Sequence, residues 1–299
     1  MQERNALMDI ASSSCAVTRF DEPAGECAST EPAVLFFDVD GTLIWTDDDA
    51  MEAGASFSDF LPNSYVREAF ERLHERGHQA YLCTGRPLPI IPQGLLDLGF
   101  AGCISGAGSC ISLGDQVVYE ALIPREVLLR MASLALERGI EVFLESHTTP
   151  VILAATHEPK TGFTSIPTAC SLDELEQLAP NLEFCKMTHM GGADWHEGEF
   201  GQLIDTYFTE FDMGLASELG MRGVDKGSAI GRVLKLTGRG RRNTYAFGDS
   251  ENDMPMFAAV ETSVAMGNAM ARVKEHVDYV TGHANKDGVL RALEHFGLI

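Results

Sequence analysis

A chain of 299 residues is long enough for two domains, or for one core carrying a large insertion, and its 45% hydrophobic content is that of an ordinary globular protein. Its formal charge of −22 argues against nucleic acid or an anionic membrane as a partner, because both are repelled beyond close range. Phosphate esters are repelled as well, so such a substrate has to be drawn in by a local cluster of cations rather than by the protein as a whole. The seven cysteines, at positions 15, 27, 83, 103, 110, 170 and 185, form no CxxC or zinc-like pairing and fit reduced thiols. There is no apolar run of membrane-spanning length and no basic-then-apolar start, so the expectation is a soluble, cytoplasmic protein.

Residues 1–32 hold a serine triplet, two prolines and scattered acids without sustained periodicity, the pattern of a poorly ordered extension. Val34-Leu35-Phe36-Phe37 then reads as a buried parallel strand running straight into Asp38, Asp40 and Gly41. Ligands in open α/β sheets bind at such strand ends. Acids at i and i+2 repel unless a cation bridges them or one keeps a proton; standing alone, the segment also reads as an acidic turn after a core strand. Ser64 is placed to cap a helix whose Val66, Phe70 and Leu73 share one face, and Gly77 ends it before a strand leading to Thr84-Gly85-Arg86. A strand around Cys103–Ile104 follows, leading into Ser105-Gly106-Ala107-Gly108, where glycines can bring backbone close to a ligand.

Residues 113–217 change character. Strands near 117–123, 140–145, 151–155 and 182–188 are separated by a helix from Pro124 to Gly139, a second opened by the capping pattern Ser171-Leu172-Asp173-Glu174, and a third near 199–208. This is an α+β unit inserted into the α/β core. Beyond it, Gly223-Val224-Asp225-Lys226-Gly227 precedes the helical stripe Ala229, Ile230, Val233 and Leu234. Arg239-Gly240-Arg241-Arg242 reads as a solvated loop, and the strand Tyr245-Ala246-Phe247-Gly248 delivers Asp249, Asn252 and Asp253 ahead of the core residues Met254, Met256 and Phe257.

Four segments, around Asp38-Val39-Asp40-Gly41, Thr84-Gly85-Arg86, Asp225-Lys226-Gly227 and Gly248-Asp249-Ser250-Glu251-Asn252-Asp253, occur in an order that resembles the haloacid dehalogenase (HAD) superfamily of aspartate-nucleophile phosphatases. The fourth, with Met254-Pro255-Met256-Phe257 and Val264-Ala265-Met266-Gly267-Asn268-Ala269, is similar to the Cof-type branch, subfamily IIB. The resemblance implies a Rossmann-like parallel-sheet core over 33–112 and 218–299, with an α+β (C2-type) cap domain over 113–217. It also implies Mg²⁺-dependent hydrolysis of small phosphomonoesters (sugar phosphate, nucleotide or cofactor phosphate) in a cytoplasmic enzyme whose partner is a small phosphorylated metabolite.

Carried onto this sequence, the family pattern makes Asp38 the nucleophile that forms an aspartyl-phosphate and Asp40 the general acid and base. The family's dehalogenases lack that second acid. Mg²⁺ would be held by the Asp38 carboxylate, the Asp40 carbonyl and Asp249, with Asp253 supporting or occasionally ligating, while Thr84, Gly85, Lys226 and Asn252 would bind phosphate. Candidate substrate contacts are Arg86, Ser105, His147 and Glu218; Ser105 departs from the Asn usual in the branch. Thr46-Asp47-Asp48-Asp49 falls where the family has a mobile flap, so it is either an acidic loop or a gate. Two rivals share these residues: a phosphomutase, which returns the phosphoryl group to a sugar, and a non-enzymatic phospho-accepting receiver module, which needs no insert.

Overall fold

The computed structural model describes residues 31–46, 60–160, 165–190, 195–214 and 216–299. Most of the N-terminal extension, Cys15, Cys27 and the acidic loop at Asp47–Asp49 lie outside those residues. Among the described residues no helix is long and apolar enough to cross a membrane.

In chain order, β1 (Val34–Phe37), α1 (Ser64–Glu75), β2 (Gln79–Cys83), the short α2 (Gln93–Leu96), β3 (Gly102–Ser105), β4 (Cys110–Leu113) and β5 (Gln116–Glu120) open the fold. Then come α3 (Arg125–Arg138), β6 (Glu141–Glu145), β7 (Val151–Leu153), β8 (Thr168–Ala169), α4 (Leu172–Leu178), β9 (Lys186–Met190), α5 (Gly198–Tyr207), β10 (Phe208–Asp212) and β11 (Ser217–Met221). The chain returns through α6 (Lys226–Leu236), β12 (Thr244–Gly248), α7 (Met254–Ala259), β13 (Thr262–Ala265), α8 (Ala271–Lys274), β14 (Tyr279–Val280) and α9 (Gly288–His295).

The larger sheet has the order β14-β13-β12-β1-β2-β3-β4-β5, parallel from β14 to β3 and antiparallel through β4 and β5. Because successive side chains of a strand point to opposite faces, β1 divides its apolar residues between two layers. Leu35 and Phe37 pack with Val66, Phe70 and Leu73 of α1 and Leu293 of α9, while Val34 and Phe36 pack with Ala229, Ile230 and Val233 of α6 and Met256 of α7. Helices therefore cover both faces, and only the strand ends stay open to a ligand.

The smaller sheet has the order β10-β11-β9-β6-β7-β8, antiparallel except for β7 beside β8. Its Val142, Leu144, Met187 and Leu219 pack against α3, α4 and α5 on one face. The alternate residues Glu145, Lys186, Thr188 and Glu218 occupy the other face, turned away from α3, α4 and α5. There Phe143 and Ile152 meet Ile90 of the larger unit.

Several elements differ from the sequence expectation, each for a local reason. The oxygen capping α1 comes from Asn63, whose Oδ1 accepts from the Val66 N–H at 3.0 Å; Ser64 is already helical. The strand expected from Leu182 begins only at Lys186, since Leu182 has φ +53°, a left-handed conformation no strand residue holds. The strand read near 117–123 as the start of the insert pairs with β4 in the larger sheet, whereas Glu218, placed with the core by sequence, sits on β11 of the smaller one. The helix read near 199–208 runs from Gly198 to Tyr207, and Phe208, its C-cap, already starts β10. The Pro124 and Gly139 boundaries of α3 and the Ser171 cap of α4 fall as the sequence reads them.

Candidate active site

Parallel strands β12, β1 and β2 end side by side, so the residues that follow them are brought together without any long-range coincidence of loops. Asp38 follows β1, Thr84 follows β2 and Asp249 follows β12, and the Asp38 N–H donates to the Phe247 carbonyl at 2.9 Å. Gly41 has φ +79°, and a Cβ there would lie 2.3 Å from Asp249 Oδ2, so only glycine lets the Asp40 turn close against the β12 end. Asn268 pins that turn from the far side, its Nδ2 donating to the Gly41 carbonyl at 2.7 Å and its Oδ1 accepting from the Ala284 N–H at 2.9 Å.

Lys226 enters from the start of α6, whose first turn is fixed by Asp225: the Asp225 carboxylate accepts from the Ser228 N–H while Ser228 Oγ accepts from the Asp225 N–H. The lysine is 1% exposed, and its Nζ donates to Asp38 Oδ1 and Asp253 Oδ1, both at 2.6 Å, and to Asn252 Oδ1 at 3.3 Å. Asp253 Oδ2 accepts from the Asp249 and Ser250 N–H groups, so this buried carboxylate holds the turn that carries Asp249. Asp249 Oδ1 is buried with no hydrogen-bond partner among the described residues.

The charges do not balance. Burial pushes the Asp38 carboxyl well above the usual carboxylate range; Lys226 pulls it back, and Asp253, Asp249 and Asp40 push it up again. Burial, then Asp253, raises Asp249 to about 7. Burial works to lower the Lys226 pKa, but the Asp253 and Asp38 carboxylates outweigh it and hold the ammonium well above its ordinary value. Carboxylate oxygens of Asp38, Asp249 and Asp253 all lie within 4.8 Å of one another. An all-oxygen set with surplus negative charge is the donor chemistry of a hard divalent cation.

Asp40 stands apart from that knot. Its side chain is 45% exposed and is gripped by Arg86, itself 9% exposed, through Nε to Oδ2 at 2.9 Å and Nη2 to Oδ1 at 2.5 Å. The Arg86 N–H donates to Thr84 Oγ1 at 3.1 Å, closing a tight turn around Gly85.

Residues 35–293 match the family described as haloacid dehalogenase-like hydrolase. The chain belongs to that family. A phosphoglycolate phosphatase of Nitrosopumilus maritimus is 39% identical over 234 residues, 76% of this chain and 84% of its own. The Bacillus subtilis protein YkrA, named as a phosphatase, is 28% identical over 276 residues, 89% of this chain and 98% of its own. Among solved structures, the HAD subclass IIB sugar phosphatase BT4131 superposes with a TM-score of 0.73 at 29% identity, covering 89% of this chain and 100% of that one. This HAD-family protein is accordingly a phosphatase, as its motifs implied.

Of the residues singled out by sequence, Asp38, Asp40, Thr84, Gly85, Arg86, Lys226, Asn252, Asp249 and Asp253 gather at these strand ends or in the turns that leave them. Glu218 reaches them from the smaller sheet, its Oε1 lying 3.7 Å from where a Cβ of Gly85 would be. His147 pairs with Glu120 at 2.5 Å, tying the β6–β7 loop to β5. Ser105 is buried at the end of β3, and the neighbouring Gly108, φ +105°, is pressed against backbone: a Cβ there would meet the Asp225 carbonyl oxygen at 2.3 Å. Gly108 thus seats the start of α6, whereas Gly106 faces Ser109 and Cys185. The sequence missed Lys186 and Glu145 of the smaller sheet; a lysine in a strand gives no sign of being buried.

Proposed function

We propose that the protein hydrolyses small phosphomonoesters in two steps through an aspartyl-phosphate on Asp38. One observation carries the proposal: Asp38, buried at a parallel strand end, shares Lys226 with Asp253 while the adjacent Asp249 keeps a buried, unpartnered carboxylate oxygen. Such a cluster has the surplus negative charge and the oxygen donors that fit a bound cation.

Asp38, Asp249 and the Asp40 carbonyl are the groups that would hold Mg²⁺, with Asp253 supporting the turn, since both of its oxygens already accept hydrogen bonds. Bound there, the ion would neutralise phosphoryl oxygens and favour the ionised form of Asp38. The remaining work falls to the chain itself. An Asp38 oxygen forms a bond to phosphorus as the bond from phosphorus to the leaving oxygen breaks, and Asp40 supplies the proton that oxygen needs. Asp40 then takes a proton from a water whose oxygen attacks the same phosphorus, freeing phosphate and restoring Asp38. Lys226, Thr84 Oγ1 and the Gly85 N–H surround the transferred group. Arg86 occupies both Asp40 oxygens in this arrangement, so Asp40 must loosen from Arg86 to exchange its proton.

The smaller sheet and its helices act as a cap. We place the cap boundaries between Glu120 and Arg125 and between Met221 and Lys226, where the chain passes from the larger sheet to the smaller and back. Contacts such as Glu218 over Gly85 would then choose among leaving groups, which the core cannot tell apart. The test is a panel of sugar phosphates, nucleotides, cofactor phosphates and phosphoglycolate, assayed with Mg²⁺ for released phosphate. Turnover of at least one is expected, with loss in Asp38→Asn. An isomerised ester with no free phosphate would point to a mutase.

A further inference from the structure

The face of the smaller sheet turned away from α3, α4 and α5 buries a second lysine. Lys186 on β9 is 1% exposed, with Nζ 2.8 Å from Glu218 Oε1 and 3.2 Å from Glu145 Oε2. Glu145 faces it directly in the β6–β9 register, and Thr188 Oγ1 donates to the other Glu145 oxygen at 2.8 Å. Burying an ion costs several kcal/mol in lost hydration, and here two carboxylates of the same sheet already offset it. The remaining N–H points out of the sheet altogether, to the Gly85 carbonyl at 2.9 Å.

That carbonyl belongs to the peptide unit joining Gly85 to Arg86, and a peptide unit is planar. Fixing its C=O therefore fixes its N–H, the group that donates to Thr84 Oγ1. The same unit launches the Arg86 side chain that grips Asp40. We infer that Lys186 is a positioning residue for phosphoryl transfer: by holding the Gly85 carbonyl from the smaller sheet, it orients the Gly85–Arg86 peptide and, through it, Thr84 and the Arg86–Asp40 pair. This rests on the reaction proposed at Asp38. The lysine itself touches none of the reacting groups. Its bond crosses from one sheet to the other, so the loop is set only while the smaller unit is seated. Stability gives no reason for it, since apolar isosteres at buried ion pairs are often neutral or better.

The decisive variant is Lys186→Met with Glu145→Gln, which removes the lysine together with the more deeply buried of its two carboxylate partners; Lys186→Met alone and Lys186→Arg accompany it. Two readouts are taken: amide hydrogen exchange across residues 84–86 without substrate, and kcat and KM with Mg²⁺ on the best ester of the panel. In the double variant, exchange at 84–86 should quicken and kcat should fall about 10- to 100-fold, the cost of a slight misplacement, with KM changing far less and Tm near wild type. Lys186→Arg should recover part of kcat. Lys186→Met combined with Arg86→Ala should lose less than the product of the single losses, because both act through one peptide. Wild-type exchange and kcat in the double variant would overturn the inference and leave Lys186 a structural ion. Exchange needs no turnover, so an inactive wild type would count against the reaction at Asp38 while the loop measurement still decides the role of Lys186.

Discussion

Two lysines in this protein are buried to the same degree, each between two carboxylates, yet their surroundings give them different work. Lys226 lies among Asp38, Asp253 and Asn252, with Asp249 adding a buried oxygen that has no hydrogen-bond partner among the described residues. Lys186 lies between Glu145 and Glu218 and spends its last donor on a backbone carbonyl. Glu145 Oε2 also accepts no hydrogen bond among the described residues, but it faces the Lys186 ammonium at 3.2 Å, so the second cluster is closed by charge where the first leaves Asp249 Oδ1 without a hydrogen bond or an ion pair. A buried ion pair does not announce chemistry; a buried carboxylate oxygen beside it with neither a hydrogen bond nor an ion pair does, because only an incomplete cluster has a place for a ligand.

The largest effects should come from breaking the incomplete cluster. Asp38→Asn keeps the volume but removes the attacking oxygen, and a loss of several orders of magnitude in kcat is expected, with the circular dichroism spectrum unchanged. Activity within about tenfold of wild type would exclude the covalent route. Next come the two neighbouring acids, which the geometry separates. Asp249→Ala should raise the Mg²⁺ concentration needed for half-activity or abolish turnover, and a chelator should silence the wild type until Mg²⁺ is restored. Asp253→Asn, a change in a supporting group, should cost about 10- to 100-fold in metal affinity or activity. Equal losses at 249 and 253 would erase the distinction.

The closed cluster should answer to pH. Burial raises Glu145 to about 7, with Lys186 pulling it down and Glu218 pushing it up. A carboxyl whose folded pKa exceeds its unfolded one stabilises the fold most when protonated, so its contribution is complete below the usual Glu range and is lost as pH rises through about 7. Relative to wild type, Glu145→Gln should therefore gain Tm between about pH 5 and pH 8, the window of that shift. A constant difference would place the Glu145 proton elsewhere. The smallest effect is expected far from both lysines: Asn63→Ala removes the cap of α1 and should cost about 1 kcal/mol in denaturant unfolding with kcat unaltered.

The sequence made one cluster readable and hid the other. Asp38, Asp40 and Asp249 follow apolar runs short enough to be strands, so their meeting at one sheet end follows from parallel pairing alone. Lys226 was legible because a helical stripe begins behind it. The smaller sheet was read as α+β, but β10 and β11 are short and polar and gave no periodic signal, which left Glu218 on the wrong side of the boundary. Lys186 needs both sheets in place before its burial means anything; its neighbours Glu145 and Glu218 are strand partners, and no spacing along the chain records strand pairing. Asn63 lost the α1 cap to Ser64 in the sequence reading through a shift of a single residue, the usual scale of error at helix ends.

The return of the chain from β11 is short: Gly223, Val224 and Asp225 alone separate Arg222 from Lys226. A swing of the smaller unit would tug on this tether, whose far end is Lys226 itself. The reciprocal cap of Asp225 with Ser228, and Gly108 seated against the Asp225 carbonyl, anchor that end in the core. They form a strain relief, like the clamp that stops a pull on a cable from reaching its terminal. Substitution of Gly108 by any residue with a side chain would loosen that clamp, and a swing of the smaller unit would then be transmitted to the charge beside Asp38.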